Sequence, residues 1–284
     1  MTRNVVCITG AGGLIGNYLV QTATQFAPNW KAIGLTRTQL DLTDYHAVSD
    51  KFRALKPGMI IHCAAMSKSP ACQADPTLAR KLNVEATKHL AELSADIPFV
   101  FFSTDLVFDG QKGNYCETDP VNPLSVYAET KAAAEQIVLA NPRHMVIRTS
   151  LNGGISPTGD RGFNEEMRAA WRNGQALKLF TDEFRCPIPA VVTVRAVWEL
   201  AAQHQTGLWH VAGGERLSRW QIGRLLAARW PRLEPKIEQS TLKDYTGAPR
   251  SPDTSLNCAK AQNVLDFPLP GLTEWLAAHP NEPF

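Results

Sequence analysis

The sequence predicts an α/β fold: a doubly wound parallel sheet with helices on both faces and a smaller C-terminal lobe. Three observations predict it. Short apolar runs alternate with helical patterns through the first 150 residues. The runs are continuous rather than alternating, as in Met59-Ile60-Ile61-His62, which suits strands buried on both sides. The first run meets a glycine-rich turn and then a helical pattern, the order of a strand–turn–helix unit.

Each element follows in turn. Residues 5–9 read as a buried strand and 14–26 as the helix after it. Residues 32–35 form a second strand and 44–55 a second helix, with Asp41 or Thr43 as its cap. A third strand spans 59–63. Residues 77–94 carry one helical period and stop before Pro98. A fourth strand at 99–102, a helix at 123–140 and a fifth strand at 145–149 complete this half. Residues 152–162, rich in Gly, Pro, Ser and Asp, read as a loop. Helices are expected at 163–173, 194–203 and 218–229, the last capped by Ser218, and a strand at 208–211. Residues 231–252 are mixed and punctuated by proline. The second half is expected to close over the carboxyl ends of the strands, where ligands bind in open α/β sheets.

Composition narrows the function. The chain has 284 residues, 44% hydrophobic and 20% charged, with a net charge of +2. This is an ordinary globular composition, and the dispersed Lys and Arg give no nucleic-acid footprint. No apolar run is long enough to span a membrane, so a cytoplasmic protein is expected. The six cysteines lack CxxC spacing and read as free thiols, and no metal site is expected.

Four motifs carry chemistry. In Thr9-Gly10-Ala11-Gly12-Gly13-Leu14-Ile15-Gly16, the glycines Gly10, Gly13 and Gly16 let a backbone approach a pyrophosphate at a helix N-terminus. This is the Rossmann-type nucleotide turn. An acidic residue about 20 positions on would select NAD(H) by its ribose hydroxyl. Here Thr36 and Arg37 stand there, and a guanidinium suits a 2′-phosphate. NADP(H) is therefore favoured, with NAD(H) possible. Tyr127 and Lys131 share a helix face at i and i+4, and an ammonium there would lower the phenol's pKa for proton transfer. Thr104 ends the fourth strand and points its hydroxyl at the expected cleft. Residues 1–150 thus form an NADP-binding domain. Residues 151–284 form mainly a substrate-binding lobe, with some segments returning to the first domain.

Together these residues resemble the extended short-chain dehydrogenase/reductase family, and within it the dTDP-4-dehydrorhamnose reductase-like branch. Supporting stretches are Leu40-Asp41-Leu42-Thr43-Asp44, Cys63-Ala64-Ala65, Leu82-Asn83-Val84, Ser103 through Gly110, Asn122 through Tyr127, Arg148-Thr149-Ser150, Gly207 through Ala212 and Arg250 through Leu256. The resemblance implies an NADPH-dependent reduction of a keto group on a nucleotide-linked sugar, with Thr104, Tyr127 and Lys131 as the catalytic set. It implies that Asp41 and Leu42 border the adenine, that Ala64 and Ala65 follow the cofactor's ribose and phosphates, and that Lys131 binds the nicotinamide ribose. It implies that Arg250 and Arg185 hold the substrate's diphosphate, and that the chain forms a homodimer.

The pattern also departs from the branch. Leu106 replaces an aromatic residue, Leu151 replaces a Trp, and Met66 through Cys72 differ. Asp105-Leu106 is not the acidic pair of the related dehydratases. Two other functions fit the same residues: an epimerase that keeps NAD bound, and a non-catalytic NADP-binding regulatory subunit such as that of methionine adenosyltransferase. Trp198, Trp209, Trp220, Trp230 and His62 read as core residues.

Overall fold

A computed structural model describes residues 4–284. The first half alternates as β1 (Asn4–Thr9), α1 (Leu14–Phe26), β2 (Trp30–Leu35), α2 (Tyr45–Leu55) and β3 (Met59–His62). It continues with α3 (Ser69–Ala74), α4 (Pro76–Arg80), α5 (Ala86–Leu93), β4 (Phe99–Thr104), α6 (Val126–Leu139) and β5 (Met145–Thr149). The second half begins with β6 (Asn152–Gly153), α7 (Phe163–Arg172), β7 (Ala176–Phe180), β8 (Phe184–Arg185), β9 (Ile188–Pro189) and α8 (Ala190–Ala202). Then come β10 (Gly207–His210), β11 (Leu217–Ser218), α9 (Arg219–Arg229), β12 (Lys236–Ser240), α10 (Ala259–Gln262) and α11 (Leu272–Ala278).

Six strands form one parallel sheet in the order β10-β5-β4-β3-β1-β2. This is the Rossmann-like α/β sheet that the alternation predicted. Adjacent residues of each strand feed opposite cores, as the period of two requires. Val6, Ile8, Ile61, Val100 and Ile147 pack under α1 and α8 with Leu19, Val197 and Trp198. Cys7, Ile60, Phe99, Phe101 and Val146 pack under α2, α5 and α6 with Val48, Phe52, Leu90 and Val138. Each such large side chain contributes about 1.5–3 kcal/mol.

A third core holds the lobe together: Phe163, Met167 and Trp171 of α7 meet Leu179, Ile222, Leu226, Leu272, Trp275 and Phe284. Its small sheet pairs β7 with β12 in parallel. The second half also returns to the main sheet, where β10 pairs with β5 and α8 covers α1.

Several boundaries differ from expectation, each for a local reason. Asp44, not Asp41 or Thr43, caps α2, accepting from the Ala47 amide at 3.0 Å. Asp41 instead closes its own turn, accepting from the Thr43 amide and hydroxyl, each at 2.9 Å. Ser125 caps α6 and sets its start after Pro123. The helix expected over 77–94 contains a π-helical turn at Lys81–Glu85. Within that turn the Asn83 side-chain amide binds the Met66 backbone and donates to the Thr130 hydroxyl. The loop expected at 152–162 opens with β6, which pairs with β9. The helix expected at 194 starts at Ala190, directly after Pro189. Trp198 and Trp209 are buried, and His62 is buried and hydrogen-bonded, as core residues should be. All six cysteines are free. No helix among the described residues is long and apolar enough to cross a membrane.

Candidate active site

The sheet reverses its winding between β1 and β3, and a crevice opens at such a point beyond the strand ends. The glycine turn sits there. Gly10 has φ +71°, and a Cβ on it would lie 2.6 Å from the Ala64 amide nitrogen at the end of β3. A Cβ on Gly16 would collide with the Gly10 carbonyl oxygen, and one on Gly13 would lie 3.2 Å from that oxygen. The turn therefore closes only without side chains. Gly13 caps α1 with no side-chain hydrogen bond, and the first turn of α1 carries no acidic residue. The helix thus keeps its unpaired amides and the positive end of its dipole for an anion. Leu14 is buried and Ile15 packs on the core, so only their backbones face this turn's chemistry.

Arg37 is exposed just beyond β2, one residue after Thr36. Asp41 is exposed nearby. Its hydrogen bonds from Thr43, with Arg37 and Lys81 adding to them, hold its carboxyl below the usual range. Leu42 packs partly into the core, Ala64 is half-buried and Ala65 is exposed. No carboxylate stands at positions 36–37. The cradle and the basic end of β2 fit a phosphorylated dinucleotide.

Thr104 closes β4, and the Ser125 cap starts α6 so that Tyr127 and Lys131 lie one turn apart on its inner side. Lys131 is 3% exposed. Its ammonium rests 3.9 Å from the centre of the Phe101 ring. It has no ion-pair partner among the described residues. Burial pushes its pKa down to about 7, while Glu135 and Cys63 pull the other way. Glu135 is engaged elsewhere, by Arg148 at 2.7 Å.

Burial pushes the Tyr127 phenol well above its usual pKa. The Asp105 and Cys72 charges push it further, and the Thr104 hydroxyl pulls it back. This reverses the expectation that Lys131 would lower it. Desolvation and the Asp105 carboxylate dominate, so the phenol stays protonated.

Asp105 is buried beside Thr104. Its carboxylate accepts from the hydroxyls of Thr104 at 3.2 Å, Ser150 at 2.8 Å and Thr254 at 2.8 Å. The Leu106 amide donates to the Thr104 oxygen at 3.2 Å, fixing that hydroxyl. Desolvation raises the Asp105 pKa, with Arg185 the largest opposing influence.

The three lobe-side arginines differ. Arg185 is 4% exposed, and its nitrogens face the Phe184 and Ser251 carbonyls, Glu183 and Asp105. It is enclosed by protein, whereas the resemblance implies that it holds the substrate's diphosphate. Arg250 pairs with Glu183 through two nitrogens, at 2.6 and 2.9 Å, and keeps a third of its side chain exposed beside Phe180 and Tyr245. Arg219, the first residue of α9, is half-buried, and its guanidinium has no hydrogen-bond or ion-pair partner among the described residues. Burial lowers its pKa, and Arg185 and Arg250 add to that against the pull of Glu183. No motif or spacing in the sequence marks Arg219, which directly follows the Ser218 cap. Three guanidiniums thus crowd one carboxylate, an arrangement that accommodates further negative charge.

The profile of the RmlD substrate binding domain matches residues 3–281. The chain is 28% identical over 284 residues to a dTDP-4-dehydrorhamnose reductase of Sinorhizobium fredii, covering 95% of this chain and 94% of that one. It is 26% identical to methionine adenosyltransferase 2 subunit beta of Rattus norvegicus, covering 91% of this chain and 82% of that one. Among solved structures, a dTDP-4-dehydrorhamnose reductase from Bacillus anthracis in complex with NADP shares the fold, with TM-score 0.88, 21% identity and 98% coverage of both chains. The chain therefore belongs to the RmlD substrate binding domain family, in the dTDP-4-dehydrorhamnose reductase-like branch of the extended short-chain dehydrogenase/reductases.

Proposed function

We propose that this protein reduces a keto group on a nucleotide-linked sugar with NADPH, using Tyr127 as proton donor. One observation carries the reading: half-buried Tyr127 stands beside Thr104 and one helical turn from Lys131, which is buried and has no ion-pair partner among the described residues. Residues 1–150 hold the cofactor, and 151–284 supply mainly the substrate lobe. Gly10, Gly13 and Gly16, with the backbone of Leu14 and Ile15, receive its pyrophosphate at the start of α1. Arg37 faces the 2′-phosphate, Asp41 and Leu42 border the adenine, and Ala64 and Ala65 line the path between them. NADPH, when bound, supplies the hydride.

The chain's own residues do the rest. The Tyr127 phenol gives its proton to the ketone oxygen, so that a carbonyl becomes a hydroxyl. Lys131 binds the nicotinamide ribose and supplies the positive charge of this part of the site. Thr104, held in place by the Leu106 amide and Asp105, would turn its proton from Asp105 to the ketone oxygen to orient the group that Tyr127 protonates. Arg250, with Arg219 in the place first given to Arg185, takes the diphosphate.

Purified protein should consume NADPH, read by nicotinamide absorbance, with at least one 4-keto nucleotide sugar. Tyr127→Phe should lower kcat by about 100-fold or more while NADPH affinity stays within about three-fold. Silence across a panel of such sugars would sink the substrate assignment. A second reading draws on the similarity to the beta subunit, a non-catalytic NADP-binding role. In that case Tyr127→Phe leaves function intact. The epimerase reading is opposed by Arg37, and NAD surviving purification would favour it.

A further inference from the structure

The catalytic hydroxyl and the exposed arginine are joined by buried charge. Thr104 donates to Asp105 at 3.2 Å. Asp105 lies 3.8 Å from Nε of Arg185. Nη2 of Arg185 lies 3.1 Å from Glu183. Glu183 in turn holds Arg250 through both carboxylate oxygens, at 2.6 and 2.9 Å. Asp105, Arg185 and Glu183 are all nearly inaccessible, so little solvent screens the line. Arg185 is its centre. One face of its guanidinium meets the carboxylate that fixes Thr104, and another meets the carboxylate that fixes Arg250. Its remaining donors go to the Phe184 and Ser251 carbonyls, tying β8 to the segment that carries Arg250 and Thr254.

We infer that Arg185 is a positioning residue that locks Thr104 and Arg250 into one arrangement, so that an anion held at Arg250 finds Thr104 already in place beside Tyr127. The inference rests on the proposed substrate class, a sugar bearing a nucleoside diphosphate. It predicts a particular signature. Arg185 never touches the anion, so losing it disturbs the alignment of reacting groups more than the grip on substrate. Lysine keeps the charge but has one nitrogen where the site uses three, and cannot span two carboxylates and two carbonyls. Other charged and titratable groups facing this line are Tyr127 and Cys186 near Asp105, Arg219 near Glu183, and Tyr245 near Arg250.

The test compares Arg185→Lys with Arg219→Gln in the full chain. Turnover is followed with NADPH and a 4-keto nucleotide sugar, and binding of UDP and dTDP by calorimetry. Arg185→Lys should lower kcat by about ten-fold or more, with KM and nucleotide affinity within about three-fold of wild type. Arg219→Gln should weaken nucleotide binding by about ten-fold. If Arg185→Lys instead raises KM and weakens nucleotide binding with kcat unchanged, Arg185 is a ligand and the inference is overturned. Should that variant fail to fold, Ser150→Ala removes one of the three hydroxyls on Asp105. It should lower kcat several-fold at unchanged KM, and an unchanged kcat overturns the inference. Failure of the substrate class is distinguishable, because it silences the wild type itself.

Discussion

Lowering the pH from 7 to 5 should cost this protein about 4 kcal/mol through two buried histidines. His62 sits between two threonines. The Thr87 hydroxyl spends its proton on the Asn83 carbonyl at 2.8 Å, so at 3.1 Å it must accept from Nε2 of His62. Nδ1 of His62 then accepts from Thr9 at 2.6 Å, and the neutral ring is satisfied. Burial, with the Lys131 charge adding to it, pushes the pKa down to about 3. His210 is held the same way. Nδ1 donates to the Tyr115 carbonyl at 3.1 Å, and Nε2 faces the Arg148 guanidinium at 3.5 Å. Its pKa is also pushed down to about 3, by burial first and Arg148 second.

Above pH about 6.5 both rings are neutral folded or unfolded, and they leave stability unchanged. Below it the unfolded chain binds protons that the folded chain refuses, so stability falls by about 1.4 kcal/mol per histidine per pH unit. At pH 5 that is about 2 kcal/mol each, a large part of a typical total of about 5–15 kcal/mol. Asp41, Asp109 and Glu183, held below their usual range, lose stabilisation only at lower pH. Urea unfolding at several pH values between 7 and 5 reads the net slope, to which His144, pushed down by burial, adds and which Asp105 and Glu199, pushed up by burial, oppose; the difference between wild type and a histidine variant isolates each ring. His62→Gln, whose amide can still donate and accept, should remove about half of the slope. A His62→Gln protein that keeps the full wild-type slope refutes the assignment of a neutral ring to His62.

Three further outcomes are expected. Gly16→Ala should weaken NADPH binding by about ten-fold or more, read by fluorescence titration, because its Cβ meets the Gly10 carbonyl and must open the turn. Arg37→Asp should move the preference from NADPH toward NADH by about 100-fold in kcat/KM, since it replaces a phosphate partner with a ribose-hydroxyl partner. Arg148→Met should destabilise the fold by about 3–5 kcal/mol in urea unfolding, because it strands the buried Glu135. Adding Glu135→Gln to Arg148→Met should recover part of that loss.

The sheet was legible because its signal is local. Buried parallel strands are unbroken apolar runs, and Gly10 through Gly16 mark where the first one turns. Tyr127 and Lys131 were legible for the same reason, since helical spacing alone puts them on one side of α6. What escaped depended on contacts far apart in sequence. The π-helical turn carries Asn83, whose side chain binds Met66 and Thr130, and no periodicity reports those contacts. β7 and β12 are short, partly exposed and parallel across a long connection, so neither reads as a strand alone. Arg185 resembled a ligand because its type suits phosphate. Only the fold shows Glu183 and Asp105 already occupying it. The phenol's pKa went the wrong way for a similar reason: spacing revealed Lys131, while the stronger influences, burial and Asp105, come from packing.

The return of β10 to the edge of the main sheet has a consequence for synthesis on the ribosome. Until residues 207–210 leave the exit tunnel, β5 ends the sheet with its outer backbone amides and carbonyls unpaired. Trp198 and the rest of α8, which cover the α1 side, also arrive late. A nascent chain of 150 residues therefore has its nucleotide turn but only half of its cover, and it offers an open strand to any neighbour. Cutting or exchanging the chain at that point would recreate the same exposed edge permanently. The last third of the sequence is thus the first half's protection against aggregation, and the two halves should be lost together when the protein unfolds.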